Sequence, residues 1–312
     1  MDKKNKIKTK NNIMDEYVRE YILLNPSYND FIGLPEFKHL KKHWENNLSD
    51  NYNIASKLLI QKYLSKMKKK TSLNIWEKSF IYDLNMSLKL IDSPTLYMPL
   101  NHLDNPILFY IELSLGDSMY DFKTKEDYDF FINKTLEFDI WCQTAIKRMK
   151  EGIQKGYVLP KVSVVKMISQ LKKALENKDY KNHKLKIKLN YDFIDTITQK
   201  LDNIITYTLV FLKNIYLKHS TNSIGFKNYP KGKYYYKLFV QSETTNNMTI
   251  KQIHNLGIKE VSRIYNEIIK TKNELEFEGS IEEFNEHVNN NSDLKFKDKK
   301  EMDKCYKYYK KY

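Results

Sequence analysis

Residues 125–154, KEDYDFFINKTLEFDIWCQTAIKRMKEGIQ, carry an apolar pattern with the period of an α-helix. Apolar side chains recur at a four-residue step in two successive runs, which lie on adjoining faces of a helix. The spacing therefore predicts a long, partly buried helix. The two runs are Tyr128, Ile132, Leu136 and Ile140, and then Trp141, Ala145, Met149 and Ile153.

Both ends of this helix carry boundary signals. Thr124 followed by Asp127 is typical of an N-cap pair at the start. Basic residues crowd the last turns, where positive charge interacts favourably with the helix dipole. Gly156 and Pro160 then predict the end. The basic residues are Lys147, Arg148, Lys150 and Lys155.

Helical periodicity also dominates the rest of the chain. The sequence has only 8 Gly and 7 Pro in 312 residues, which is sparse for a protein of strands and turns. Residues 231–241, KGKYYYKLFVQ, fit either a short strand or a helix. We expect a mainly α fold with few or no strands. Further helices are predicted near 12–24, 53–69, 74–91, 161–177, 191–219, 250–273, 280–290 and 298–311.

The domain organisation is expected to be simple. We find no tandem repeat and no long linker, so residues 12–312 are predicted to form a single helical domain. Residues 1–11 are basic and polar and are predicted to be disordered.

The formal net charge of +14 suggests a nucleic-acid partner, but the composition weakens that interpretation. The chain has 50 Lys and only three Arg, whereas phosphate-binding proteins also use Arg forks. High Lys, Asn, Ile and Tyr contents are typical of an AT-rich genome. Residues 1–12 carry +4 and residues 294–312 carry +5, which leaves +5 for the 281 residues between them.

The cellular location and redox context are predicted from absences in the sequence. Two cysteines, Cys142 and Cys305, are too few for a disulfide framework or a structural zinc site. The N-terminal residues lack the apolar core of a signal peptide. The run IITYTLVFL at 204–212 is too short to span a bilayer. An intracellular protein without a membrane span is therefore expected.

The stretch TTNNMTIKQIHNLG at 244–257 raises the question of a histidine site. Thr249 followed by Gln252 predicts a capping box, with His254 in the first turns of the helix. His254 could be a metal ligand or a helix residue that hydrogen-bonds a neighbouring loop. The second interpretation is favoured, because no second ligand lies nearby at helical spacing. Ser280 followed by Glu283 predicts another capping box.

Two further histidine motifs were considered as sites. HLKKH at 39–43 gives His39 and His43 the spacing of two zinc ligands, but the catalytic Glu of HExxH is missing and two lysines intervene. A solvated helix face is the favoured interpretation of this motif. PLNHLDNP at 99–106 places His102 and Asp104 in a loop, either as a catalytic pair or as polar groups that satisfy the loop backbone. The second interpretation is favoured.

Other chemical motifs give little support for catalysis. The sequence contains no G-x-S-x-G, Walker A or GxGxxG pattern. Cys142 lies inside the central helical pattern and is predicted to belong to the core. The tail KCYKYYKKY at 304–312 could follow a nucleic-acid strand, but a half-covered terminal helix is favoured.

Several collinear blocks resemble a bacterial family, the domain of unknown function eight-eight-five. Residues 229–268, YPKGKYYYKLFVQSETTNNMTIKQIHNLGIKEVSRIYNEI, are similar to its "NG..YY" turn, "TT" and "T..EIH.LGL.EV.RI" blocks. NDFIGLPEF at 29–37 resembles its "GL.EY" region, and PLNHLDNP resembles its "THLDGP". MKEGIQKGYVLPKVSVVKMISQL at 149–171 resembles its "M.EGI..G...P" block. The resemblance covers about residues 29–311.

The resemblance implies a helical domain similar to the N-terminal half of a gluzincin-like zinc metallopeptidase or carboxypeptidase. The family zinc motif, of the HE..PGHH type, lies further towards the C-terminus than any matched block. We therefore expect no metal ligand, catalytic residue or cofactor in this chain, and no peptidase activity from it alone. The matched positions His102, Asp104, Tyr235 and His254 are at most expected to line a substrate cleft.

Three functions remain open from the sequence. The first is a truncated, non-catalytic homologue with a binding or structural role. The second is one subunit of a split zinc peptidase, completed by a separate chain that carries HExxH. The third is a basic nucleic-acid-binding or packaging protein. An uncovered apolar surface is expected near 298–312, with self-association or a protein partner as its consequence.

Overall fold

A computed structural model describes residues 12–116 and 119–310 of the chain. Within these ranges the structure is helical and contains no strand, as predicted, and one isolated parallel bridge joins Pro160 to Thr221. The predicted disorder of residues 1–11 lies outside the described residues. The α-helices are α1 (Ile13–Leu24), α2 (Asn29–Ile32), α3 (Asp50–Lys68), α4 (Ile75–Leu90), α5 (Pro106–Ser114), α6 (Lys125–Lys155), α7 (Lys161–Asn177), α8 (Phe193–Phe211), α9 (Leu217–His219), α10 (Gly232–Thr244), α11 (Ile250–Glu274), α12 (Ile281–Asn290) and α13 (Lys299–Tyr309).

Most helix boundaries follow the local signals in the sequence. The predicted capping boxes are present at Thr124, Thr249 and Ser280, at the starts of α6, α11 and α12. Gly156 ends α6 in the left-handed conformation, with φ 78°. The predicted helix over 191–219 is continuous from α8 to α9 through a π-helical turn at Leu212–Tyr216.

The ambiguous segment 231–241 is helical and forms α10. Its first residue, Gly232, packs so closely under the 226–228 turn that a Cβ atom would lie 1.7 Å from the carbonyl oxygen of Phe226. Phe239 packs against Phe226 with ring centroids 5.1 Å apart. These contacts favour the helix, although Tyr and Val have a high strand propensity.

The chain divides into two compact units, residues up to Thr245 and residues Asn246–Tyr312. The expected single domain over 12–312 stays a prediction. In the second unit, Phe277 packs on Phe284 and His287, with ring centroids 5.4 and 5.1 Å away. Helix α11 has no buried residue along its 25 positions.

The core of the first unit surrounds α6. This helix contacts α8, the 3-10 helix Pro35–Lys42 and the 3-10 turn Pro94–Tyr97. Large aromatic side chains fill the space around it, and Tyr110 stacks on Phe138 with centroids 4.0 Å apart. The aromatic residues of α6 and its neighbours that are fully buried include Tyr110, Tyr120, Phe122, Tyr128, Phe131 and Phe138.

The buried face of α6 differs from the predicted one in its first half. Tyr128 is buried as expected, but Leu136 and Ile140 are 47% and 55% exposed. Lys134 and Arg148 are buried instead. The prediction was wrong because it used apolar residues alone, whereas this face packs on an irregular segment whose backbone needs polar partners.

These partners form a polar stripe along α6, defined here as Asp127, Lys134, Glu137, Trp141, Thr144 and Arg148. Glu137 Oε2 accepts the backbone N–H of Trp44 at 2.7 Å. Trp141 Nε1 donates to Asn47 Oδ1 at 2.8 Å, and Arg148 Nε donates to the carbonyl of Leu48 at 2.8 Å. The stripe therefore anchors residues 41–50, which lie about a hundred positions earlier in the chain.

A second part of the stripe consists of buried ion pairs. Lys134 is fully buried and its Nζ lies 2.5 Å from Asp30 Oδ2. Burial raises the pKa of Asp30, and the Lys134 ammonium opposes that shift. Lys41 Nζ lies 2.9 Å from Asp127 Oδ1 and over the ring of Tyr120. Burial acts to raise the pKa of Asp127, but hydrogen bonds from Lys41 and the Thr124 amide outweigh it and lower that pKa to about 2.

The Lys134–Asp30 pair generates a stability prediction. We expect Asp30→Asn to lower the free energy of unfolding by about 3–5 kcal/mol, because it leaves a buried ammonium without its counter-ion. The double variant Asp30→Leu/Lys134→Met should recover most of that loss, since it removes both charges together. Urea unfolding followed by circular dichroism measures all three proteins.

The exposed pair Lys172–Glu176, with 3.5 Å between its charged atoms, supplies the control. Glu176→Gln should change the free energy of unfolding by less than about 0.5 kcal/mol. If Asp30→Asn and the double variant lowered the free energy of unfolding equally, the unpaired charge of Lys134 would not be the cause of the loss.

Candidate functional site

The loop before α5 is held by its own asparagines. Asn101 Oδ1 accepts the backbone N–H of Leu103 at 2.8 Å and of Asp104 at 2.7 Å. Asn105 caps α5 by accepting the N–H of Ile107 at 3.1 Å, and Pro106 is the first helical residue. The backbone is thus satisfied locally, and the loop presents Leu103, which is 81% exposed, together with the exposed Asp104.

Leu103 and Asp104 border a groove of about 500 Å³ between this loop, α5, α6 and the segment anchored by the polar stripe. We call it the acidic groove. Its size lies within the range of small-molecule sites. The other residues that line it are Trp44, Asn47, Asn105, Pro106, Leu108, Phe109, Glu112 and Trp141.

The two indoles of the acidic groove are fixed by their packing. The Trp44 ring meets Tyr110 and Phe138 edge to face, with centroids 5.3 and 5.0 Å away. Trp141 stacks on Phe138 at 5.7 Å, and its N–H is bound by Asn47 at 2.8 Å. Rigid aromatic walls of this kind lose little conformational entropy when a ligand binds.

The charges of the acidic groove are negative. Among the described residues, Asp104 and Glu112 are the charged side chains that line it, and both are exposed. In the part of the chain that the structure describes, neither carboxylate forms a salt bridge, although lysine is abundant. The groove is therefore a negative site on a positively charged chain.

A second cavity of about 500 Å³ adjoins the acidic groove and shares Asn47, Pro106 and Trp141 with it. Three tyrosines from α1 and α3, Tyr17, Tyr21 and Tyr52, lie in its wall. Burial raises the pKa of Tyr17 to about 12, so its hydroxyl stays protonated at neutral pH. We call this space the tyrosine cavity, and we use the word channel for the two adjoining spaces, which share Trp141 as a wall.

The sequence-predicted residues His102 and Asp104 lie in one loop. Within the described residues no hydrogen bond joins their side chains. The carbonyl of His102 accepts a hydrogen bond from Gln170 Nε2 at 2.9 Å, which ties the loop to α7. The ring Nδ1 of His102 and Oε1 of Gln170 are buried and have no hydrogen-bond partner in the described structure.

The other two predicted cleft residues lie elsewhere. Tyr235 is on α10, and its hydroxyl lies 3.4 Å from the carbonyl of Asp92, just beyond α4. Burial raises the pKa of Tyr235. His254 is an exposed residue in the second turn of α11, in the second unit. Of the four predicted residues, only Asp104 lines the acidic groove, so a cleft shared by all four stays a prediction.

The HLKKH segment differs from the expected solvated α-helix face. It lies at the end of the 3-10 helix Pro35–Lys42, so His39 and His43 do not have the spacing of one α-helical turn. His43 follows the helix, and its Nδ1 lies 2.9 Å from Glu137 Oε1. Lys41 is half-buried against Asp127 instead of being solvated.

Other candidate chemical groups were located as well. In residues 12–116 and 119–310, no three His, Cys, Asp or Glu side chains are grouped as metal ligands would be. Cys142 is buried in the core, where burial raises the pKa of its thiol well above the usual range. None of the described helices is both long and apolar enough to traverse a bilayer. A location inside the cell stays a prediction.

The sequence reasoning missed most of the acidic groove. Trp141 was assigned to an apolar helix face, and Trp44, Asn47 and Glu112 were not singled out. Trp44 follows the HLKKH segment directly, and a tryptophan beside asparagines in an irregular segment was the available signal. Helix α5 was missed because it is short and mostly apolar, so its amphipathic periodicity is weak.

Comparison with known structures supports the fold. A candidate lipoprotein from Colwellia psychrerythraea matches 77% of this chain with a TM-score of 0.61 at 15% sequence identity. The matched region is 46% of that protein, so this chain spans about half of its length. Among curated proteins, none matches this chain.

The family comparison covers almost the whole chain. A family model described as bacterial protein of unknown function, DUF885, matches residues 26–312. That range includes the loop before α5, the polar stripe, the second unit and all of the first unit after residue 25. The chain therefore belongs to this bacterial family of proteins of unknown function.

Proposed function

We propose that this chain is the helical, substrate-side part of a larger metallopeptidase-like fold and that it holds a peptide without cleaving it. The observation that carries the proposal is the position of Asp104. It lies in the loop that resembles the family "THLDGP" block, and it borders an open groove walled by Trp44 and Trp141. The catalytic metal and base would come from polypeptide outside the matched region.

The shape of the channel suits an extended peptide. The acidic groove and the tyrosine cavity meet at Trp141, and each has a volume of about 500 Å³. One space offers apolar and acidic walls, and the other offers tyrosine, serine and asparagine side chains. Successive side chains of an extended peptide point in alternating directions, so such a channel can take neighbouring residues in different environments.

The test is peptide retention without turnover. A library of capped heptapeptides is mixed with the purified chain, with and without added zinc, and bound and free peptides are measured by mass spectrometry. We expect retained peptides with unchanged masses and less than one zinc per chain by elemental analysis. Phe109→Ala should weaken retention about three- to tenfold, because it removes an aromatic wall.

The exposed Ile224, which does not line either cavity, gives the matched control, and Ile224→Ala should leave retention unchanged. Cleaved peptides that depend on His39 or His43 would contradict the non-catalytic role. A library that passes through unbound would contradict the substrate-side role.

A second observation concerns the partner that would complete the fold. Helix α11 exposes a stripe of apolar side chains along five turns, and Val261 at its centre is 68% exposed. The opposite face carries Lys259, Arg263 and Asn266. The sequence predicted an uncovered apolar surface near 298–312, and α13 does expose tyrosines there. The apolar stripe on α11 is longer than that surface. The stripe consists of the exposed Ile250, Ile258, Val261, Ile264 and Tyr265 and the half-buried Ile253 and Ile268.

We assign this α11 stripe to the remaining polypeptide of the family fold. Its apolar length, about 27 Å from Ile250 to Ile268 at 1.5 Å per residue, suits the hydrophobic contacts of a permanent interface. The Colwellia psychrerythraea structure, about half of which this chain matches, contains polypeptide that could supply such a cover. That polypeptide could be a separate zinc-bearing chain or a continuation of the same chain. In both cases it would contact the stripe with an apolar surface.

Co-expression with the polypeptide encoded directly downstream tests the assignment. We expect a one-to-one complex by size-exclusion chromatography with light scattering, lost in Val261→Asp and kept in Asn266→Asp on the polar face. The reason is that a buried, unpaired carboxylate is costly in an apolar interface. A homodimer that Val261→Asp abolishes would assign the stripe to a second copy, and failure to associate with either would overturn the assignment.

A further inference from the structure

The acidic groove has a composition that selects for one kind of ligand group. Its charged lining residues are both carboxylates, Asp104 and Glu112, in a chain that carries 53 basic and 39 acidic residues. A random patch of this chain would be expected to contain lysine. The charged side chains that line the groove are therefore opposite in sign to the net charge of the chain.

The walls of the groove add a second preference. Trp44, Phe109 and Trp141 present aromatic rings, whose faces attract cations, most strongly for tryptophan. The indoles cannot turn away, because Trp44 is packed against Tyr110 and Phe138, and Trp141 is bound by Asn47. Lys134 Nζ lies over the Trp44 ring, 5.9 Å from its centroid, so this indole already accepts one ammonium.

The remaining lining is apolar. Leu103, Pro106 and Leu108 offer carbon surface beside the two carboxylates. An alkyl chain that ends in a positive charge matches both features, since its methylene groups can lie on the apolar wall while its charge faces the carboxylates. A hydrated metal ion would leave the apolar walls unused, and an anion would be repelled.

We propose that the acidic groove binds an alkylammonium or guanidinium group, supplied by a lysine or arginine side chain of a peptide. Asp104 and Glu112 provide the opposite charge, Trp44 and Trp141 the aromatic walls, and Leu103 and Leu108 the contact for the alkyl stem. This assignment rests on the proposed function, because it names the side-chain class of the peptide that the channel holds.

Isothermal titration with three capped peptides tests the preference. The probes are acetyl-Ala-Lys-Ala-amide, its norleucine analogue, which keeps the alkyl stem without the charge, and its glutamate analogue. We expect the lysine peptide to bind about tenfold or more tightly than the norleucine peptide, and the glutamate peptide more weakly still. Raising the salt concentration should reduce the difference between the first two.

Substitutions in the groove then locate the effect. Asp104→Asn and Glu112→Gln should each weaken the lysine peptide about three- to tenfold and leave the norleucine peptide nearly unchanged. Asp303→Asn on α13 makes the same change in net charge at an exposed site in the second unit and should have no effect. If Asp303→Asn weakened binding equally, the preference would come from overall charge and the groove assignment would be overturned.

The source of the cation is separated by a fourth probe, free n-butylamine. Binding of the peptide well above that of n-butylamine supports a peptide side chain as the natural occupant. Equal binding of the two would keep the cation site and overturn the peptide source, and with it the proposed function. Retention of all three peptides with equal affinity would keep the proposed function and overturn this inference.

Discussion

The carboxylate of Glu137 binds the backbone N–H of Trp44 at 2.7 Å, and this contact represents the constraint on which the first unit depends. An irregular segment, residues 43–49, must pack on the longest helix of the described structure, and no helix or strand of its own pairs its backbone groups. The polar stripe of α6 supplies partners at positions that repeat with the helical period. A buried N–H or carbonyl left without a partner would cost about 1–3 kcal/mol, so these positions of α6 require polar side chains.

The acidic groove follows from the same constraint. Trp44 and Asn47 belong to the anchored segment, whereas Trp141 belongs to α6 itself, and the three meet at the floor of the channel. The opposite wall comes from α5 and its capped loop, which Gln170 ties to α7. The anchored segment with α6 holds the indoles, and α5 with its loop holds the carboxylates beside them. We infer that the site is preformed, and that the choice of ligand depends on a few exposed side chains around it.

The sequence was sufficient for the fold class and for most helices, because amphipathic period and capping signals are local. Thr124, Thr249 and Ser280 each start a helix as their local sequence predicts. The sequence was insufficient to predict which face of α6 is buried. The buried positions of Lys134 and Arg148 depend on Asp30 and Leu48, about a hundred residues away. Residues 231–241 were undecided for a similar reason, since a close contact between Gly232 and Phe226 favours the helix.

The candidate site was less predictable than the fold. The family resemblance pointed to the loop of His102 and Asp104, and Asp104 does line the acidic groove. The other groove residues come from three separate parts of the chain and include no catalytic motif. Their common feature, two carboxylates without a salt bridge to any described residue beside two fixed indoles, exists only after folding. A sequence can show which residue types are present, but it cannot show that lysines are missing from one particular surface.

Hydrogen–deuterium exchange of wild type and Glu137→Ala tests the central claim most directly. The substitution removes the acceptor for the Trp44 amide, and Gln143→Ala, on an exposed face of α6, is its control. The account predicts at least about tenfold faster exchange over residues 43–49 in Glu137→Ala, with α7 and α8 unchanged, since tenfold corresponds to about 1.4 kcal/mol of lost protection. Unchanged exchange over residues 43–49, or an equal loss of protection throughout α6, α7 and α8, would contradict the claim that the polar stripe specifically anchors this segment.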